Sequence, residues 1–193
     1  TNNHVEAELR DPRLGMGGNR YYRIQESTGA YSFYMLDSEV LERDTEQQSW
    51  LLETIKNDTA RWIICVLHTP PYASDVAHGG DSPIAKVIER ASEQGRRIDL
   101  LVSAHNHSYE RRVVTALGNV AIIAGATGKN SRTDTWPEDP ERIAFFDEDE
   151  SYAVLEISKD SIVGRAYDSN NGQVDEFVIH KAAGSANLAP PAP

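Results

Sequence analysis

The sequence predicts a mixed α/β fold that ends in antiparallel β-structure, and three observations carry this. Two nearly continuous apolar, β-rich runs, Trp62–Leu67 and residues 98–102, read as strands covered on both faces. Each follows a segment whose apolar residues recur at helical spacing. The last third of the chain instead alternates apolar and polar residues between turn signals.

In chain order, Tyr31–Leu36 reads as the first strand. Residues 44–56 read as a helix, with Trp50, Leu51 and Ile55 on one side. The run Trp62–Leu67 follows, and Pro70-Pro71 turns the chain into a loop. A second helix is expected over residues 83–95, with Ile84, Val87, Ile88 and Ala91 on one face and Gly95 as the stop. Strands then follow at 98–102 and 120–124, giving the order β-α-β-α-β-β. Behind the last of these, Gly125-Ala126-Thr127-Gly128 lets backbone approach the strand ends closely. Residues 133–150 form an acidic, proline-bearing loop. Segments 152–157, 161–167 and 174–180, separated by Lys159-Asp160 and Asn170-Asn171-Gly172, read as an antiparallel meander. The Ala/Pro/Ser-rich stretch 182–193 has no periodicity and is expected to be a disordered tail or linker, which leaves residues 1–181 as one domain.

Composition agrees with one core, since 193 residues at 39% hydrophobic content suit a single domain. A net charge of -11 repels nucleic-acid phosphates and anionic membranes, which disfavours broad nucleic-acid binding. No apolar stretch approaches the ~20 residues that span a bilayer. The single cysteine, Cys65, lies inside an apolar run, so an intrachain disulfide is impossible and a buried, inert thiol is expected.

Chemistry concentrates in three histidines that follow the two buried runs. In an extended segment His105 and His107 would share a face, as two imidazoles of a metal site do. A His-x-His at a strand end equally serves ordinary hydrogen bonding. His68 shifts the balance, because it also leaves a buried strand, so in a sheet of neighbouring strands all three imidazoles can converge on one strand-end crevice, where open α/β sheets place their sites. Neutral imidazoles suit zinc, iron and manganese, and the scarcity of thiolates favours a catalytic ion over a structural one.

His68-Thr69-Pro70-Pro71-Tyr72 followed by Ala104-His105-Asn106-His107-Ser108-Tyr109-Glu110-Arg111 resembles the last two motifs of the calcineurin-like metallophosphoesterases, specifically the purple acid phosphatase branch. The text around them, from Arg20-Tyr21-Tyr22-Arg23-Ile24 to Ala60-Arg61-Trp62-Ile63, is similar in order and spacing, so the resemblance covers residues 2–128. It implies an α+β sandwich, the carboxy-terminal part of a four-layer α-β-β-α fold. It makes His68 and His105 ligands of one metal and His107 a ligand of a second. Asn2-Asn3-His4 falls on the family's Gly-Asn-His motif, which would make Asn3 a metal ligand and His4 a donor to the phosphoryl group; a plain polar segment is the alternative. His78 falls where plant-type members place a histidine near the leaving group, a role to be weighed against that of a solvated bystander. Tyr109, Glu110 and Arg111 are expected to brace the loop bearing His105 and His107.

The sequence departs from the family pattern in several places. Leu67 and Ala104 stand where the family usually has glycine, Asn2 replaces a glycine and Val5 an acid. No Asp-x-His occurs, so the two motifs that supply the remaining ligands, including a bridging carboxylate, are expected to precede Thr1. The resemblance implies phosphate-ester hydrolysis at a dinuclear Fe, Zn or Mn centre whose metal-bound hydroxide is the nucleophile, acting on small-molecule monoesters or diesters outside the cell or in the periplasm. With neutral ligands alone, one ion or none is expected for this chain by itself. The alternative is a truncated, non-catalytic relative that binds one metal or phosphate. Half a sandwich also leaves a sheet face and edge open, so an amino-terminal partner fragment or self-association is expected.

Overall fold

The computed structural model describes residues 19–129, 134–136 and 138–181, and the backbone of 186–188. Asn3 and His4 lie outside these residues. Eleven strands and two helices are present among them, in two sheets.

The larger sheet has the order β1-β2-β3-β4-β6-β5-β7. Its centre is the parallel set β2 (Tyr31–Leu36), β3 (Trp62–Leu67), β4 (Leu100–Ser103) and β6 (Asn119–Ala124). Helix α1 (Thr45–Asn57) connects β2 to β3, and α2 (Ser82–Gln94) connects β3 to β4. Both begin on an aspartate: Asp44 accepts from the amides of Glu46 and Gln47, and Asp81 from that of Ile84. Each cap satisfies amides that the first helical turn would otherwise leave open. Leu51 and Ile55 of α1, with Ile84 and Ile88 of α2, lie in a core against Ile63, Cys65 and Leu101 of the sheet. Burial of each such side chain contributes about 1.5–3 kcal/mol relative to exposure.

Sequence periodicity missed three strands of this sheet. β1 (Tyr22–Gln25) pairs antiparallel to β2 at one edge, β5 (Tyr109–Val114) pairs antiparallel to β6, and β7 (Arg142–Phe146) closes the other edge inside the stretch read as acidic loop. The strand expected at 98–102 is displaced to Leu100–Ser103, because Ile98 and Asp99 serve the approach to it: the Asp99 backbone amide donates to the Ile63 carbonyl.

The meander forms as expected: β8 (Ser151–Ile157), β9 (Ser161–Asp168) and β10 (Gln173–Lys181) build a second sheet, with β11 (Ala186–Leu188) added beside β10. Residues 186–188 of the stretch read as a tail are therefore strand, while the rest of it lies outside the described residues. Ile162, Phe177 and Ile179 pack onto Trp62, Ile64, Leu100, Val120 and Ile122, so the larger sheet carries helices on one face and this second sheet on the other. Tyr31, Phe33, Val66 and Val102 of the same face are only partly buried, and among the described residues β8 has a strand neighbour on one side only.

Two charged clusters tie the sheets together. Near the start of the parallel strands, Lys181 Nζ donates to both oxygens of Asp99 and lies 4.8 Å from the Trp62 ring centroid. Near the opposite ends, Arg111 makes a bidentate pair with Asp175 at 2.6 and 2.9 Å, and the Tyr109 hydroxyl donates to the same carboxylate at 2.7 Å. Burial and the Asp175 charge push the Tyr109 phenol far up.

Candidate metal centre

The convergence of His68 and His105 follows from strand order. His68 directly follows β3 and His105 comes two residues after β4, its parallel neighbour; the Ala104 amide extends that pairing by donating to the His68 carbonyl at 3.0 Å. The two imidazoles consequently meet, with His105 Nδ1 3.1 Å from His68 Nε2.

The segment after β4 is not extended, however. Asn106 N–H donates to the Ala104 carbonyl at 2.7 Å and Ser108 N–H to the Asn106 carbonyl at 2.8 Å, two successive three-residue turns. His105, at the centre of the first, has φ +62. That backbone conformation costs a side-chain-bearing residue about 1–3 kcal/mol and persists only where the surroundings impose it. Ala104 itself is absent from the positive-φ residues, so it substitutes for a glycine without strain.

Strand order is also what imposes the turn. β6 lies between β4 and β5, so the chain must cross the end of β6 to reach β5. The crossing is tight: a Cβ on Gly125 would lie 2.0 Å from the Asn106 carbonyl oxygen, and the Gly125 amide donates to the Ser108 carbonyl at 3.1 Å. The close approach expected of the glycine segment is thus made by the histidine loop itself.

His107 is partly buried and adds to the field at His105, but the alternation expected of His105 and His107 does not occur because the loop turns. Among the described residues, no group of three or more His, Cys, Asp or Glu side chains is placed to hold a metal. Instead His78 joins the pair, its ring 5.4 Å from that of His105 at an interplanar angle of 88°. Burial lowers the His105 pKa, His68, His78 and His107 lower it further, and Glu39 opposes them. The net effect favours the neutral imidazole, the form that ligates a metal.

His78 is set by its own turn. Asp75, 2% exposed, accepts from the amides of Ala77 (2.7 Å) and His78 (3.0 Å), and its other oxygen lies 3.3 Å from His78 Nδ1. The bracing expected of Tyr109, Glu110 and Arg111 divides in two. Tyr109 and Arg111 reach Asp175 in the second sheet, whereas Glu110 reaches Ser74, on the loop carrying His78 rather than the loop carrying His105. Asp75 and Asp175 carried no sequence signal, since a lone aspartate in a loop or near a strand end is commonplace.

For a metal, the donor set fits in part. Two ligands at 2.0–2.1 Å from one zinc-like ion stand about 3 Å apart, which matches the His68–His105 nitrogen separation of 3.1 Å. The Asn106 amide, fully buried in the same loop, has neither its nitrogen nor its oxygen hydrogen-bonded. The third ligand and the carboxylates are missing from the described set.

The family described as calcineurin-like phosphoesterase matches residues 9–109. The chain belongs to that family. Among relatives, the probable purple acid phosphatase 20 of Arabidopsis thaliana is 33% identical over 102 residues, covering 50% of this chain and 24% of that protein. Purple acid phosphatase 21 of the same plant is 24% identical over 121 residues, covering 58% of this chain and 28% of its own length. The matches thus span about a quarter of these phosphatases. Solved structures share the fold. PhoD superposes with TM-score 0.65 at 13% identity, over 90% of this chain and 44% of that one. GAP50, described as the anchor in the inner membrane complex of Plasmodium, gives 0.64 at 20% identity, over 90% and 54%. A dimetal phosphatase from Danio rerio gives 0.62 at 11% identity, over 92% and 68%. The phosphoesterase fold is thereby established, including the mixed sheet with helices on one face and the terminal meander on the other.

Proposed function

We propose that this chain carries part of the centre of a metal-dependent phosphatase of the purple acid phosphatase type, with His68 and His105 on one metal ion and His107 on a second. The observation that supports this most directly is the contact of two imidazoles at the ends of adjacent parallel strands. Iron, zinc or manganese suits such nitrogen donors, and a bound pair of these ions supplies charge for a phosphoryl group and activates water toward it. His78 donates a proton to the departing alkoxide: it is 49% exposed in its side chain, next to His105, and held by Asp75. Asn3 and His4, outside the described residues, complete the first metal's ligands and the phosphoryl contact in this reading. The substrates are small phosphate esters, and the setting is extracellular or periplasmic, in keeping with the purple acid phosphatase relatives. No helix among the described residues is long and apolar enough to cross a membrane.

The carboxylates that would hold the second ion come in this reading from a further segment of polypeptide, which also covers the edge of β8 and the partly buried Tyr31, Phe33, Val66 and Val102. A second reading, a non-catalytic relative binding one ion or phosphate, draws on the absence of any three-ligand group among the described residues. The deciding experiment counts transition-metal ions per chain by elemental analysis and follows p-nitrophenyl phosphate hydrolysis in the same preparation. Two ions and turnover support the phosphatase. One ion or fewer without turnover, in a preparation containing any polypeptide that co-purifies, supports the second reading.

A further inference from the structure

We infer that Glu110 is a positioning residue whose carboxylate fixes the loop carrying His78, and with it the placement of that imidazole beside His105. The inference rests on the proposed role of His78 and extends it by naming the group that holds the loop.

Glu110 is 1% exposed, the second of four consecutive buried residues of β5. Its two oxygens accept from the Ser74 backbone amide (3.2 and 3.0 Å), the Ser74 hydroxyl (2.9 Å) and Arg112 Nη1 (2.7 Å). Every neighbour is a donor, so the site requires a group that only accepts; an amide would present N–H to N–H. Ionised acceptors also make bonds about twice as strong as neutral ones. Arg112 is itself held by Asp139 at 3.0 Å and Glu141 at 3.3 Å, so its charge is matched on both sides.

From Ser74 the chain passes directly into Asp75, which caps the turn and orients the His78 ring. Residues 74–76 have three further supports: Arg142 Nη1 of the edge strand β7 donates to the Ser74 hydroxyl at 3.3 Å, and from a loop Trp136 N–H donates to the Ser74 carbonyl at 2.9 Å and Val76 N–H to that of Asp134 at 2.9 Å. Of these supports, Glu110 stands on a central sheet strand, flanked by β6 and β7. The same strand receives the end of the histidine loop, so β5 sets His105 and His78 relative to each other.

The test is hydrogen–deuterium exchange of the 193-residue chain, read by mass spectrometry for wild type, Glu110→Gln and Ser74→Ala. Glu110→Gln is expected to speed exchange over residues 75–80 by about tenfold or more, Ser74→Ala by less, with α1 and β3 unchanged. If Glu110→Gln does not fold, Glu110→Asp, which keeps the charge but retracts it, is read instead. Wild-type exchange at 75–80, or faster exchange spread evenly over the chain, overturns the inference. Turnover of an alkyl phosphate by the metal-loaded protein separates the two levels. Glu110→Gln is expected to lower kcat with KM unchanged, and to add nothing in a His78→Asn background. A loosened loop with full turnover in His78→Asn refutes the proposed role of His78 alone.

Discussion

Removal of the Asp175 carboxylate should be among the most damaging single changes to this fold. Arg111 and Asp175 are 6% and 8% exposed in their side chains, and the carboxylate accepts two guanidinium bonds and the Tyr109 hydroxyl. Burial by itself would lower the Arg111 pKa, but Asp175, with Tyr109 beside it, more than reverses this. Asp175→Ala leaves a charge stranded between the sheets at a cost of about 3–5 kcal/mol, and an orphaned phenol whose own cost overlaps with it. For a chain of this size about 4 kcal/mol corresponds to a fall in Tm of about 8–16 °C. Asp175→Asn keeps acceptors for Tyr109 and should fall less. The double change Arg111→Met, Asp175→Leu removes both charges and should recover most of the loss, retaining about 1–3 kcal/mol for the Tyr109 hydroxyl that it leaves without an acceptor. Thermal unfolding followed by far-UV circular dichroism measures all three. A loss below about 1 kcal/mol for Asp175→Ala would refute the claim that this pair joins the sheets.

Other outcomes follow from the same structure. Gly125→Ala should cost about 1–3 kcal/mol in urea unfolding and displace the His105 loop, because the added carbon falls 2.0 Å from the Asn106 oxygen; an unchanged midpoint would mean that the crossing is looser than described. Hydrogen bonds from Thr28, then Ala30 and Ser27, outweigh desolvation and hold the Glu26 pKa down at about 2 from 4.5. A depressed pKa contributes stability that is present above the unfolded value and lost as pH falls through the folded one, so the β1–β2 turn should loosen between pH 4.5 and 2. Nuclear magnetic resonance titration of the Glu26 carboxyl carbon tests this, and a midpoint near 4.5 would contradict it. Cys65 is fully buried and its thiol is pushed far up by burial, then by Asp99. It should resist a disulfide reagent at neutral pH until the protein is unfolded, and rapid labelling of the native chain would place it elsewhere.

The central strands and both helices were readable because their apolar residues face two cores at once or one core at helical spacing. β5 was not readable: Glu110, Arg111 and Arg112 look like a solvated run, yet all three are buried, each matched by a partner distant in the sequence. β7 was concealed by its acidic surroundings, and β1 by its largely exposed edge position. At the site, the meeting of His68 and His105 follows from two buried runs ending in histidine. His107 was misplaced because the extended geometry assumed for it gave way to a turn at His105 that only the crossing over β6 dictates. The approach of His78 to His105 depends on Ser74 and Asp75 being fastened to β5, a tertiary fact without local signature.

The crossing over β6 also orders events in time. A growing chain makes β3, β4 and both histidines before it makes residues 119–125, yet the turn that aims His105 is closed by Gly125 at the end of β6. The Ser151 amide then donates to the carbonyl of Ala126, fastening that end from the second sheet. A nascent chain halted before β6 therefore holds both histidines without the constraint that brings their nitrogens together. The pairing of His68 with His105 is thus completed late in synthesis, when insertion of one strand between two earlier ones locks the loop.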